Sequence, residues 1–218
     1  MKILELTLLT YDLDETIVFY TEILGFTLLW SDMSSASFKA GSTKLTFIQT
    51  HKEGPLYHFT FNIPDNKLYE ALAFIGKKAV VLAIEGNSKF ADFTDWNARS
   101  VYFNDNNRNI LEFIARFDLN DQSNDSFDAA QIRCISEIGI VTDNVPEECE
   151  RLIAGKGLDY FSKQTPREDF TALGDDHGLI LLTQKGRLWF PTNIPAEKYP
   201  TIIKCEMNGR VEELKYYD

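Results

Sequence analysis

The chain has 218 residues, 44% of them hydrophobic, which is enough to bury a core without disulfides or metals. A formal net charge of −11 argues against a nucleic-acid or anionic-membrane partner. Cys134, Cys149 and Cys205 are too scattered for a disulfide framework or zinc motif, no stretch has the roughly 18 apolar residues of a membrane span, and the Met1 end lacks a signal-peptide pattern, so a soluble, cytoplasmic protein is expected.

In chain order, residues 3–10 read as a strand, followed by Asp12 and a helix over 16–24. Asp12 or Asp14 can cap that helix, Glu15 suits its first turn, and Gly25 can end it in the left-handed conformation. Strands over 27–30, 35–40 and 44–49 complete a β-α-β-β-β unit. The order returns with a strand at 58–64, Asp65, a helix at 68–75, and strands at 80–85, 99–103 and 110–116. Residues 118–128, rich in Asp, Asn and Ser, form the heart of a linker spanning 118–130. A third copy has strand 135–142, Asp143, helix 147–154, and strands 158–164, 170–173 and 179–183. The tail, 186–218, holds one further strand at 201–207 and reads as a truncated fourth copy. The aspartates Asp12, Asp65 and Asp143 each follow within two residues of the end of their copy's first strand, which is hard to produce three times by accident.

Asp12-Leu13, Phe19-Tyr20 and Leu24-Gly25-Phe26, with the segment from Tyr102 through Asn104-Asp105-Asn106-Asn107-Arg108-Asn109 to Glu112-Phe113, resemble the vicinal-oxygen-chelate proteins, the glyoxalase, bleomycin-resistance and extradiol-dioxygenase group. Arg108 stands where that turn usually has glycine. The resemblance implies an α+β fold of βαβββ modules whose paired curved sheets form a cleft, with a third, partial module pair. Module one (1–50) and module two (56–117) would share a domain carrying the site, and 131–218 would hold the third module and the truncated fourth.

By position, the resemblance implies divalent-metal ligands at Glu5, His58 and Glu112, with Thr46, a poor ligand, in the fourth place. Independently, strand alternation puts Glu5, Thr7 and Leu9 on one face and His58, Thr60 and Asn62 on another. Glu112 lies among apolar neighbours, where a carboxylate is costly unless paired or metal-bound. A partner such as Arg99 is the structural alternative. One imidazole and two carboxylates would suit Mn²⁺, Ni²⁺, Zn²⁺, Fe²⁺ or Mg²⁺ acting on a small oxygenated substrate, with Glu112 or Glu5 as a proton shuttle. The implied activities are lyase, isomerase or ring-cleaving dioxygenase; the alternative is a non-catalytic small-molecule-binding protein of the bleomycin-resistance kind.

Thr46, Asn62, Arg99, Tyr102 and Trp96 are candidates for contacting the ligand, Arg99 through a substrate carboxylate. The loop 90–98 could fold over the cleft. His51 lies in a connector and His177 in a turn, and neither is assigned to the site. In the third copy the ligand position holds Ser136 and the last strand has no Glu, so this copy is read as structural, capping a sheet edge or forming a homodimer interface.

Overall fold

The computed structural model describes residues 1–52 and 54–217. Copy one comprises β1 (Lys2–Thr10), α1 (Leu13–Val18), a π-helical segment (Phe19–Ile23), β2 (Thr27–Ser31), β3 (Ser35–Ala40) and β4 (Thr43–Gln49). Copy two comprises β5 (His58–Ile63), α2 (Leu68–Ile75), β6 (Ala91–Phe93), β7 (Ala98–Asn104) and β8 (Ile110–Arg116). Copy three comprises β9 (Cys134–Thr142), α3 (Val145–Lys156), β10 (Phe170–Asp175) and β11 (Gly178–Gln184), and the tail forms β12 (Thr201–Met207) and β13 (Arg210–Tyr216). The fold is α+β, with the strands gathered into two sheets.

Local chemistry explains several boundaries. Asp12 caps α1 by accepting the Glu15 N–H at 2.9 Å. At α3 the cap is Asn144, not Asp143, which instead pairs with Lys198. That helix runs on to Gly157, whose φ of 70° supplies the left-handed terminus. The expected strand at 80–85 is reduced to a bridge between Val81 and Phe103, and β6 takes the place beside β7. Likewise 158–164 keeps only a bridge from Tyr160 to Leu173. The unforeseen strand β13 is mostly exposed and charged, so it lacks a hydrophobic alternation. Its signal is Asn208-Gly209, both at positive φ (51° and 73°), which closes a tight hairpin with β12.

In every copy the first strand pairs in parallel with the last: β1 with β4, β5 with β8, β9 with β11. That leaves each first strand one open edge, which must be covered. β5 fills its edge with β9, antiparallel, giving the seven-stranded order β10-β11-β9-β5-β8-β7-β6. β1 fills its edge with β12, giving β13-β12-β1-β4-β3-β2. Copy two therefore shares a sheet with copy three, and copy one with the tail. The sequence reading had joined copies one and two.

The sheets hold one hydrophobic core between them, with Leu6, Leu8, Phe38 and Phe47 from one and Phe59, Phe61, Phe113 and Ile138 from the other. Phe26 meets Phe61 edge-on across this layer at 5.6 Å, and the buried Tyr20 hydroxyl donates to Asp105 at 2.8 Å. Gly41 allows a close approach of the halves: a Cβ there would stand 2.2 Å from the Arg133 carbonyl oxygen. Among the described residues, no helix is long and apolar enough to cross a membrane.

Candidate metal centre

The face of the seven-stranded sheet turned away from that core carries the polar side chains of its central strands. Phe59, Phe61 and Ile63 of β5 enter the core, so alternation sends His58, Thr60 and Asn62 to the other side. In β8 the same rule buries Leu111, Phe113 and Ala115 in the core and puts Glu112 and Arg116 opposite. β9 contributes Glu137 through an irregularity: Phe61 pairs with Ile135 but Thr60 with Glu137, so Ser136 bulges out of the ladder. Glu137 arrives beside Thr60, which pairs on its other side with Glu112.

His58, Glu112 and Glu137 are all buried, and one ligand-capable atom from each lies within 4.8 Å of the others. His58 Nδ1 sits 3.0 Å from the Ile110 carbonyl oxygen, which can only accept, so Nδ1 bears the proton. The Nε2 lone pair then faces Glu112, with Nε2 3.6 Å from Oε2. Thr60 Oγ1 is 3.1 Å from Glu112 Oε2 and 3.1 Å from Glu137 Oε2. Its single proton satisfies one carboxylate at a time. Arg116, fully buried, donates to Glu137, to Asp176 at 3.2 Å and to Asn62 at 3.2 Å. Asp176 is shared with Lys163 at 2.6 Å.

Arg116 thus supplies one positive charge against the two carboxylates of the cluster, and burial opposes the remaining negative charge. Burial raises Glu112 above its ordinary range and pushes Glu137 up to about 7, with Arg116 pulling both down. It also lowers His58, against the opposing pull of Glu137, so the imidazole is neutral at pH 7. Burial, then the carboxylates of Glu112 and Glu137, holds the Tyr102 phenol well above its usual value. The charge gap can be closed by a proton shared between the carboxylates or by a cation. A neutral imidazole with its outer nitrogen tied to a carbonyl, beside two carboxylates, is a donor set that fits a divalent metal.

A cavity of about 270 Å³ opens above the cluster, with His58, Glu112 and Glu137 in its lining. Phe93, Trp96, Tyr102, Phe170, Trp189 and Phe190 give its wall an aromatic character. Gly139, two residues beyond Glu137, leaves room for the Trp189 ring, since a Cβ there would lie 2.4 Å from Cη2. Trp189 then packs 5.5 Å from the His58 ring.

Of the residues marked from sequence, His58, Glu112, Tyr102 and Trp96 line this cavity. Asn62 lies beneath it, accepting from Arg116 and donating to the Asp176 carbonyl oxygen at 3.1 Å. Glu5 is elsewhere: it belongs to the six-stranded sheet, part-exposed, and is bracketed by Lys44 and by Lys204 at 2.9 Å. The hydrogen bond and charge of Lys44, then those of Lys204, keep its carboxyl below the usual range. Thr46 shares that sheet and bonds Ser37 at 2.9 Å. Arg99 pairs with Asp92 at 2.9 Å and lies over the Phe90 ring, so it is not the partner of Glu112. Within 90–98, Phe93 and Trp96 reach the cavity wall. Sequence counting missed Glu137 and Arg116. The buried register of β8 was the available signal for Arg116, whereas the bulge at Ser136 hid Glu137.

A family model for the Glyoxalase/Bleomycin resistance protein/Dioxygenase superfamily matches residues 2–113. The uncharacterized protein YraH of Bacillus subtilis (strain 168) is 25% identical over 130 residues, covering 51% of this chain and 96% of YraH. A candidate dioxygenase structure from Bacillus subtilis subsp. subtilis str. 168 superposes with a TM-score of 0.61 at 16% identity, over 84% of this chain and 63% of that one. Glyoxalase I from Zea mays superposes with a TM-score of 0.53 at 14% identity, over 90% of this chain and 72% of that one. At such identities the two structures speak for the fold alone.

Proposed function

The chain belongs to the glyoxalase/bleomycin resistance protein/dioxygenase superfamily, and from that premise we propose that it is a divalent-metal-dependent enzyme acting on a small oxygenated substrate, a lyase, isomerase or ring-cleaving dioxygenase. The observation that carries this reading is the buried His58–Glu112–Glu137 cluster in the lining of an aromatic cavity. In this proposal Glu137 takes the third ligand place that position-counting gave to Glu5. Mn²⁺, Ni²⁺, Zn²⁺, Fe²⁺ and Mg²⁺ all accept such a donor set.

A bound divalent ion would supply Lewis-acid polarisation of adjacent substrate oxygens. The protein side is built to serve it. The Ile110 carbonyl fixes the His58 tautomer, and Arg116 tethers Glu137 so that its carboxylate cannot swing away. Glu112, raised by burial, can take a proton from a substrate carbon or oxygen and return it. The Tyr102 hydroxyl stays protonated and donates to Glu112, which helps to hold that carboxylate in place. Phe93, Trp96 and Phe190 exclude water from the reacting atoms.

A second reading has its own observation. Glu137 is already paired with Arg116, and Thr60 bridges the carboxylates, so a cluster holding one shared proton needs no ion. That suits a non-catalytic binding protein with the same cavity. Elemental mass spectrometry separates the two readings. Protein purified without chelators and dialysed against each ion should carry near-stoichiometric metal in the parent and in Glu5→Gln, and little in Glu137→Gln or His58→Ala. A metal-free parent under every condition overturns the enzyme proposal and leaves the binding protein.

A further inference from the structure

Two arginines stand in the wall of the same cavity, and neither belongs to the cluster. Arg167 grips Asp169 with a fork, Nε to Oδ1 at 3.0 Å and Nη2 to Oδ2 at 3.1 Å. Arg187 reaches the same carboxylate, Nε to Oδ2 at 3.1 Å, and lies 4.7 Å from the centre of the Phe170 ring, itself part of the lining. Two guanidiniums share one carboxylate, which leaves one positive charge in excess on a chain whose formal net charge is −11. Besides the cluster, they are the charged residues of the cavity lining. Arg99, to which the sequence reading gave a carboxylate-binding role, is occupied with Asp92 outside this lining.

We propose that the substrate carries a carboxylate, held by Arg187 and Arg167, while its oxygens face the cluster; this rests on the functional reading above. The planar fork of a guanidinium matches a carboxylate, and Asp169 already occupies that geometry, so an incoming carboxylate joins or replaces it at the same donors. The surrounding surface is ring-shaped chemistry, Phe93, Trp96, Phe170 and Phe190, suited to a flat apolar body between the charged end and the cluster. The cavity, about 270 Å³, is somewhat under twice the roughly 150 Å³ void that admits benzene. A single-ring or short-chain carboxylic acid is therefore the class of ligand that fits.

The test uses 3,4-dihydroxybenzoate and its uncharged amide, 3,4-dihydroxybenzamide, titrated calorimetrically into metal-free and Mn²⁺-loaded protein. The acid should bind about tenfold more tightly than the amide in both states. Arg187→Met should remove about tenfold from the acid and leave the amide unchanged, and Arg167→Met should act in the same direction. Asp169→Asn, which frees both arginines, should tighten the acid, so the proposal remains testable if one arginine variant fails to fold. Equal affinities for acid and amide, no binding of the acid, or an Arg187→Met variant that weakens both ligands alike overturns the carboxylate assignment. Mn²⁺ binding without acid preference overturns this inference alone, whereas acid preference in a protein that binds no metal overturns the metal reading and leaves the arginine site standing.

Discussion

Replacing Arg116 with methionine should destabilise the metal-free protein by an amount that grows with pH. The arginine is fully buried and its three partners are Glu137, Asp176 and Asn62. Near pH 6, Glu137 is largely protonated in the folded parent, so the variant loses chiefly the hydrogen bonds to Asp176 and Asn62, about 2 kcal/mol. Asp176 keeps Lys163, which limits its share. The folded pKa of Glu137 lies above its ordinary value, so its contribution to stability is present at low pH and is lost as pH rises through that folded value. In the parent the loss levels off above about 7. Arg116 is the main influence pulling that value down, so in the variant it lies higher and the loss continues, adding about 1 kcal/mol per pH unit. By pH 8 the deficit should be about 3–4 kcal/mol, in the range for breaking a buried ion pair. Urea denaturation with a chelator and a reductant at pH 6, 7 and 8 measures it directly. A deficit that is flat with pH, or below about 1 kcal/mol throughout, would refute the reasoning.

Three further perturbations probe separate parts of the account. Gly139→Ala drives a Cβ into the Trp189 ring and should cost about 1–3 kcal/mol by overpacking, with a shift in tryptophan emission; an unchanged spectrum and midpoint would contradict the packing described. Glu5→Gln should cost less than about 1 kcal/mol, because its lysine pairs are part-exposed, and should leave metal content unaltered; loss of metal would return Glu5 to the site. Burial raises Asp105 to about 6, so between about pH 4 and 6 the parent should lose about 3 kcal/mol relative to Asp105→Asn; paired denaturation curves at the two ends that show no such divergence would exclude the buried titration.

The modular architecture was legible because it is written in local chemistry. Apolar strands, polar turns and glycines after the helices repeat in the same order, and the Asp12 cap is present as expected. Which modules share a sheet was not legible. That choice depends on whether β5 covers its open edge with β9 or with a strand of copy one, a non-local pairing of strands that are apolar in either arrangement. The consequence reaches the site. Glu5 and His58 hold equivalent places in their copies, yet they lie in different sheets, and Lys44 and Lys204 neutralise Glu5 where it stands. Glu137 escaped for a different reason: a count of seven residues back from Asp143 lands on Ser136, and the bulge there shifts the following residue onto the polar face. A similar register shift between Ile3 and Glu5 marks β1, so bulges near the start of first strands accompany both acidic positions.

The most direct measurement is the anomalous-difference map of a crystal grown with Mn²⁺. The account predicts one strong peak within coordination distance of His58 Nε2 and of an oxygen from each of Glu112 and Glu137, facing the aromatic cavity. An empty cavity with fully occupied Mn²⁺ at Glu5, or no protein-bound peak at saturating metal, would contradict it.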